Sequence, residues 1–475
     1  MSCAQFLSPM LASGGDRRIT VPNGGNTNVY GASPFPRAVI GYASSTANDI
    51  SLDAFRHLER LVADWPVHGL QDPAAYAAAL ERMRHRLRGL WGLTADTGVV
   101  FAPSGTDLEY VGLALAGNGA GAPVTNIVLG PDEVGSGCLL AAGGCYFSGE
   151  TALAGAIRKG AGIAGFEAVE VAALPLRGAG STALASDAVA AALDTAIATA
   201  RRQGRKVVAH AVHGSKTGLI LPDLAAIDGL LARHGDDLTL AVDACQARIE
   251  PAEIRGYLDR GCVVFLTGSK FIGGPPFSGM ALVPPGRRPA AMLARGLATV
   301  FRRAEWPAEW READLLPAGA NPGLLLRLEA ALFELERFAA IGAGRRDAVI
   351  AAFGVAVRAL ARRIDAGLVA PALAPGGLHT ATLATIDLSA MPGGASFATA
   401  QRWQKVLAAR GLRLGQPVRC LRDASGDWAG TLRISLSMPM IVARAGLAPD
   451  ALAAGFAADM ARIAAVIEAA RRRVA

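Results

Sequence analysis

Seven short apolar runs alternate with helical segments between residues 97 and 286. This alternation restricts the possible folds more than any other feature of the chain. The runs are GVVFA, TNIVLG, FEAVEVAAL, KVVAHAV, LTLAVD, CVVFLTG and MALVPP. Strand-length apolar segments separated by helix-length ones predict an α/β domain whose mostly parallel sheet carries helices on both faces. In such sheets ligands gather beyond the carboxyl ends of the strands. Chemistry-bearing residues at run ends therefore matter most.

Lys270 is one of them. It closes CVVFLTGSK and is followed at once by FIGGPPFSGMALV. Lysine is scarce here: of the 47 Lys and Arg residues only Lys159, Lys206, Lys216, Lys270 and Lys405 are lysine. Unlike arginine, a lysine can lose its proton when desolvated and then attack a carbonyl. Asp243 ends another run, in LTLAVDACQARI, 27 residues earlier. A carboxylate at a buried strand end is costly unless something compensates its charge, although an Asp can also simply bond locally at a turn. One cofactor needs both a Schiff-base lysine and an acid beside a ring nitrogen, namely pyridoxal 5'-phosphate (PLP). A third run, GVVFA, leads into PSGTDLEYVGLALA. Ser104, Gly105 and Thr106 fall at the start of a helical pattern, where free N–H groups and two hydroxyls can cradle a phosphate. Ser104, Asp243 and Lys270 thus all fall at strand ends, as one shared site requires.

The order SGT, VDACQ, TGSK, LRISL resembles fold-type I PLP enzymes, and within them the class V aminotransferase and cysteine desulfurase group. The resemblance spans about residues 95 to 440, through short and scattered motifs. It implies a large seven-stranded domain and a smaller C-terminal α+β domain. Asp243 matches the ring-nitrogen acid, Gln246 the residue at the phenolic oxygen, and Lys270 the Schiff-base lysine. Thr267 and Ser269 match phosphate-binding positions, beside Ser104, Gly105 and Thr106. HAVHGSKTGLILP resembles the family's strand and N-E-T-G-like turn, with Ser215 or His213 near the ring edge. Arg433 in TLRISLSMP matches the arginine that grips the substrate α-carboxylate, a task suited to a planar guanidinium. The resemblance also implies a homodimer, with a turn near AGAN (Gly319, Ala320, Asn321) reaching the partner's phosphate site.

The chain departs from the family in places. In LGPDEVGSGC, Val134 follows Glu133, with Gly135 and Ser136 next, so no aromatic is available there to stack on a ring. Gly214 or Ser215 stands where the family carries asparagine, and Ser269 precedes the lysine where desulfurases carry histidine. The implied activity is chemistry at the α-carbon of an amino acid, by amino transfer or by side-chain elimination or replacement. Desulfurase-like C–S cleavage, decarboxylation or aldol cleavage, and a catalytically silent PLP-binding domain remain open. Cys420 lies 13 residues before Arg433, but GQPVRCLRD is a poor match to a sulfur-acceptor segment. An ordinary thiol is the simpler reading.

The remaining features bound the class. The length suits two or three domains: an N-terminal arm over 1–50 packing near the site, a large domain over 51–318, and a linking helix with a small domain over 319–475. The arm is rich in Gly, Asn, Ser and Pro and reads as extended, while Tyr30, Phe35 and Tyr42 indicate that it packs. LDAFRHLERLVADW, YAAALERMRHRLRGLW and the stretch beginning NPGLLLRLEAALFELERF carry helical periodicity. Arg302, Arg303, Trp306 and Trp310 could line an entrance, but an amphipathic surface is the simpler reading. The first residues lack a signal-peptide pattern, and no stretch has membrane length and charge-free character. Six cysteines without a CxxC pair or metal spacing suggest reduced thiols and a cytoplasmic setting. The net charge of +7 could attract an anionic substrate. Its dispersed arginines and lack of an aromatic–basic patch argue against nucleic acid.

Overall fold

The computed structural model describes residues 3–22, 24–43, 45–63, 69–117, 121–135, 137–371, 377–423 and 425–472. In chain order, α1 (Cys3–Leu11), β1 (Ile40–Tyr42), α2 (Leu52–Ala63) and α3 (Pro73–Trp91) precede the first strand of the main sheet. That sheet takes β2 (Gly98–Ala102), β3 (Val124–Leu129), β4 (Val169–Leu174), β5 (Lys206–His213), β6 (Ile220–Leu221), β7 (Leu238–Asp243), β8 (Val263–Thr267) and β9 (Gly279–Val283). Between them lie α4 (Leu108–Leu115), α5 (Cys138–Ala142), α6 (Ser186–Arg202), α7 (Leu224–His234) and α8 (Pro251–Asp259). All seven expected runs form strands.

The strand order is β2-β9-β8-β7-β5-β3-β4, with the short β6 on β5. The contacts β3–β4, β3–β5, β5–β7 and β7–β8 are parallel. Only β9, between β2 and β8, and the two-residue β6 run against them. The strands β2, β3, β8 and β9 are buried along their whole length. Period-2 alternation sends their side chains into two cores. Val99 and Phe101 of β2, with Val264 and Leu266 of β8, join a core built with α3, α6, α7, α8 and a later helix over Pro322–Ala339. Val100, Ala102, Val263 and Phe265 face the other core, with α4. Trp306 and Trp310 are buried in that second core and line no entrance.

After the sheet come α9 (Pro322–Ala339), α10 (Ala343–Arg363), β10 (Gly367–Leu368), α11 (Leu378–Ala381), β11 (Leu383–Asp387), α12 (Phe397–Ala409), β12 (Leu412–Leu414), β13 (Thr431–Ser435), α13 (Met438–Arg444) and α14 (Pro449–Arg472). The expected single helical stretch is thus two helices. α9 packs on α1, α2 and α3, whereas α10 packs on α14. Strands β10, β11 and β13 form an antiparallel sheet. β12 pairs instead with β1 of the N-terminal segment, in parallel. That segment is therefore not merely extended: it opens with a helix and contributes a strand to the C-terminal region.

Arg327 of α9 fastens the N-terminal segment. Its buried guanidinium donates to the carbonyl oxygens of Leu11, Ser13 and Gly14, and at 2.7 Å to that of Phe277. Asn321 caps α9 by accepting from Leu324 N, and its amide donates to Gly14 O at 3.0 Å. The AGAN turn is thereby tied to its own chain's N-terminal segment. Among the described residues no helix is long and apolar enough to cross a membrane.

Candidate active site

The connections after β2, β3, β5, β7 and β8 leave the same edge of the sheet, the carboxyl end of its parallel strands. They surround a cavity of about 180 Å³. Ser104, Gly105, Thr106, Ser215, Asp243, Gln246, Thr267, Ser269, Lys270 and Arg433 all line it. The N-terminal segment closes one side with Arg18, Tyr30, Ser45 and Thr46.

Asp243 ends β7, its Cα paired with Val212 on one side and Phe265 on the other. Its Oδ1 accepts from Cys245 N at 3.0 Å, which holds the carboxylate at the strand end. Beside it a polar cluster is buried in the sheet. His210 Nε2 lies 2.9 Å from Asn126 Oδ1 and 3.3 Å from Glu109 Oε2. Burial opposes the imidazolium, but the Glu109 carboxylate outweighs it and raises the imidazole's pKa.

Lys270 follows β8 in left-handed backbone, with φ of 36°. Only a few per cent of non-glycine residues adopt that conformation, and such strain clusters at functional sites. Asn48 Nδ2 donates to the Lys270 carbonyl at 2.9 Å, so the N-terminal segment holds this backbone as well. The Lys270 amine and the Asp243 carboxylate line one cavity, yet no ion pair joins them. A space separates the two charges.

The SGT loop occupies the entrance to α4. Among the described residues, the backbone N–H groups of Gly105 and Thr106 donate to no acceptor. The Ser278 hydroxyl, fully buried on the same cavity, has no partner either. Unpaired donors at a helix start are what an anion requires. Gly105 is also needed for space: a Cβ there would lie 2.7 Å from the Thr267 methyl. Ser104 Oγ donates to Asp107 Oδ2 at 2.6 Å, and Thr267 Oγ1 donates to Cys245 O at 2.7 Å. These hydroxyl protons fasten the loops rather than remaining free.

Ser215 is committed in the same way. Its Oγ donates to Glu133 Oε2 at 2.5 Å and accepts from the N–H groups of Thr217 and Leu219. Its one proton is spent on Glu133 and is not offered to a ring oxygen. Glu133 also accepts from Arg177 and Thr217, each at 2.5 Å. His213, the other candidate at that turn, faces Tyr257, 3.0 Å away, and does not line the cavity. Val134 does line it, while Ser136 lies outside the described residues. Gln246 receives Arg248 Nη1 on its side-chain oxygen at 3.1 Å, leaving its amide to the cavity.

Arg433, on β13, is 4% exposed. Its Nε donates to Gln416 O at 3.0 Å, and its two Nη groups have no described acceptor. Burial lowers its pKa to about 10, and the opposing pull of Cys420 and Glu133 does not offset it. Cys420 is buried against Val369 and Val418, and burial raises its thiol to about 12. Lys216, Arg18 and Tyr30 are cavity residues that motif reasoning did not single out as site residues. The aromatic character of Tyr30 was the only signal.

No family model matches this chain, and no curated protein does. Solved structures do. A NifS-like protein superposes with TM-score 0.56 at 12% identity, covering 90% of this chain and 99% of that one. A ureidoglycine–glyoxylate aminotransferase from Bacillus subtilis gives 0.52 at 15%, covering 90% and 94%. A serine palmitoyltransferase from S. paucimobilis, with bound PLP–myriocin aldimine, gives 0.51 at 14%, covering 92% and 87%. Identities this low establish architecture alone. The chain has the fold shared by these enzymes, the fold-type I architecture expected from its motifs.

Proposed function

We propose that this chain is a PLP-dependent enzyme acting at the α-carbon of an amino acid, by amino transfer or by side-chain elimination or replacement. One observation carries the reading. An amine, a carboxylate and a pair of unsatisfied N–H groups at a helix start, each from a different strand end, converge on one cavity without pairing with one another. This donor set fits PLP. Gly105 and Thr106 would hold its phosphate, Asp243 its ring nitrogen, and Lys270 its aldehyde carbon. Thr267 and Ser269 line the same cavity and would help hold the phosphate, and the Gln246 amide would meet the phenolic oxygen. The S. paucimobilis structure contains that cofactor in the same fold.

PLP, when bound, supplies an electron sink for the α-carbon. The chain's own contribution is positional. Arg433 offers two unpartnered Nη groups to a carboxylate, a bidentate geometry that fixes the substrate's orientation. Lys270, which would hold the cofactor's aldehyde carbon, lines the same cavity as Arg433 and would serve as the base for the α-carbon proton. Burial of the Cys420 thiol keeps it protonated, which argues against a desulfurase-like role. The resemblance further supports a homodimer, and the five cysteines whose side chains are described, all free, accord with a reducing cytoplasmic compartment.

The test is to add PLP to purified protein, reduce with borohydride and map the peptide. A pyridoxyl group on the Lys270 peptide is expected. A group on Lys216 alone, or no uptake of PLP, would overturn the proposal.

A further inference from the structure

Lys216 stands where two cavities meet. The inner one is the candidate active site; the outer one is about 730 Å³ and opens between the N-terminal segment, the 131–134 loop and α12. Among the described residues, only Tyr30, Val134, Lys216 and Gln416 line both. PLP and the α-carbon of a substrate would occupy the inner cavity, so a distal end that extends into the outer cavity would pass these four residues.

The charge at that passage is not balanced. The Lys216 amine donates to the Val134 carbonyl, leaving two of its three donors without a described acceptor, and it forms no ion pair among the described residues. The nearby carboxylate, Glu133, already accepts from Arg177, Ser215 and Thr217. Burial, then the neighbouring Arg433 charge, lowers the Lys216 ammonium to about 8. The outer cavity adds Lys405, Arg413 and Arg419 against a single acid, Asp132. Lys405 and Arg419 are exposed, but Arg413 is buried and Lys216 half-buried; desolvating such cations without counter-ions is costly, and an anionic ligand offsets that cost.

We infer that Lys216 is a specificity-determining residue that receives a second anionic group of the substrate, a carboxylate or a phosphoryl group distal to the α-carbon. This rests on the reading above, in which PLP and the α-carbon fill the inner cavity and Arg433 takes the first carboxylate. Glutamate and glutamine are matched in shape and differ in distal charge; O-phosphoserine and serine extend the comparison to a phosphoryl group. With reconstituted enzyme, binding is followed by the cofactor's absorbance. Glutamate, O-phosphoserine or both should bind at least tenfold more tightly than the neutral counterpart. Lys216→Met should lose that factor while changing glutamine and serine by less than about twofold, and Lys216→Arg should keep most of it.

Calorimetry with succinate on the same proteins does not depend on any reaction. Binding to wild type that weakens tenfold or more in Lys216→Met supports the assignment even where no amino acid alters the absorbance, a result that would instead count against the proposed function. Equal losses for charged and neutral ligands, no preference in wild type, or succinate binding unchanged by Lys216→Met would each overturn it.

Discussion

Asp107 sits at the start of α4, one residue beyond the SGT loop, and its carboxyl is buried. Burial raises its pKa from 3.8 to about 7, while the Ser104 hydroxyl and Arg18 pull the other way. The native state therefore binds a proton between about pH 4 and pH 7 that the unfolded chain has released. By linkage, stability from this group is intact below pH 4, falls as pH rises to 7, and stays low above it. At about 1.36 kcal/mol per pH unit, the full cost above pH 7 is about 4 kcal/mol. Asp107→Asn removes the charge but keeps an acceptor for Ser104 Oγ. Relative to wild type, the variant should change little in urea melts at pH 4.5 and gain roughly 2 to 4 kcal/mol at pH 8. Removing a negative charge beside the phosphate cradle should also tighten inorganic phosphate binding at pH 8, measured by calorimetry. A stability difference that is the same at both pH values would refute the reasoning, because it would mean that Asp107 does not change protonation on folding within that window.

Three further outcomes follow from the site. Arg433→Lys keeps the charge but loses the planar fork; kcat/KM for amino acids should fall by about 100-fold, with a smaller loss for the corresponding amines, as steady-state kinetics would show. Asp243→Asn keeps the Cys245 N–H bond and so should keep the melting temperature within a few degrees, while turnover drops by roughly three orders of magnitude or more; near-normal turnover would contradict the role given to Asp243. Light scattering should report a homodimer, and a monomer fully active at assay concentration would contradict that assembly.

The parts of the fold legible in the sequence are those in which one local pattern decides the outcome. Each main-sheet strand longer than two residues falls on an apolar run, because strands buried on both faces favour apolar side chains; among the buried polar exceptions, Asn126 and His210 bond each other. Asp243, Lys270 and the SGT loop were legible for the related reason that polar residues closing such runs stand out against them. The β1–β12 pairing was not legible. Each partner has three residues, and they lie about 370 positions apart. Helix α1 contains Pro9, which reads as a breaker. AGAN reads as a loop, yet its asparagine is an N-cap fixed by Gly14.

The same distinction explains why Ser215 and Lys216 were hard to read. Their environment is set by Glu133 and Val134, 82 residues away, and no periodicity links the two segments. Glu133 is the pivot. By accepting hydrogen bonds from Ser215, Thr217 and Arg177 it locks the β5–β6 turn against the 131–134 loop, and its ion pair is made with Arg177 rather than with Lys216. Had Glu133 paired with Lys216 instead, the passage between the two cavities would be neutral. The arrangement that fixes the turn is therefore also what leaves the Lys216 ammonium facing the substrate path without a protein counter-ion. Structural rigidity and substrate charge selection then arise from one carboxylate, and a motif search cannot see this because neither residue carries the signal alone.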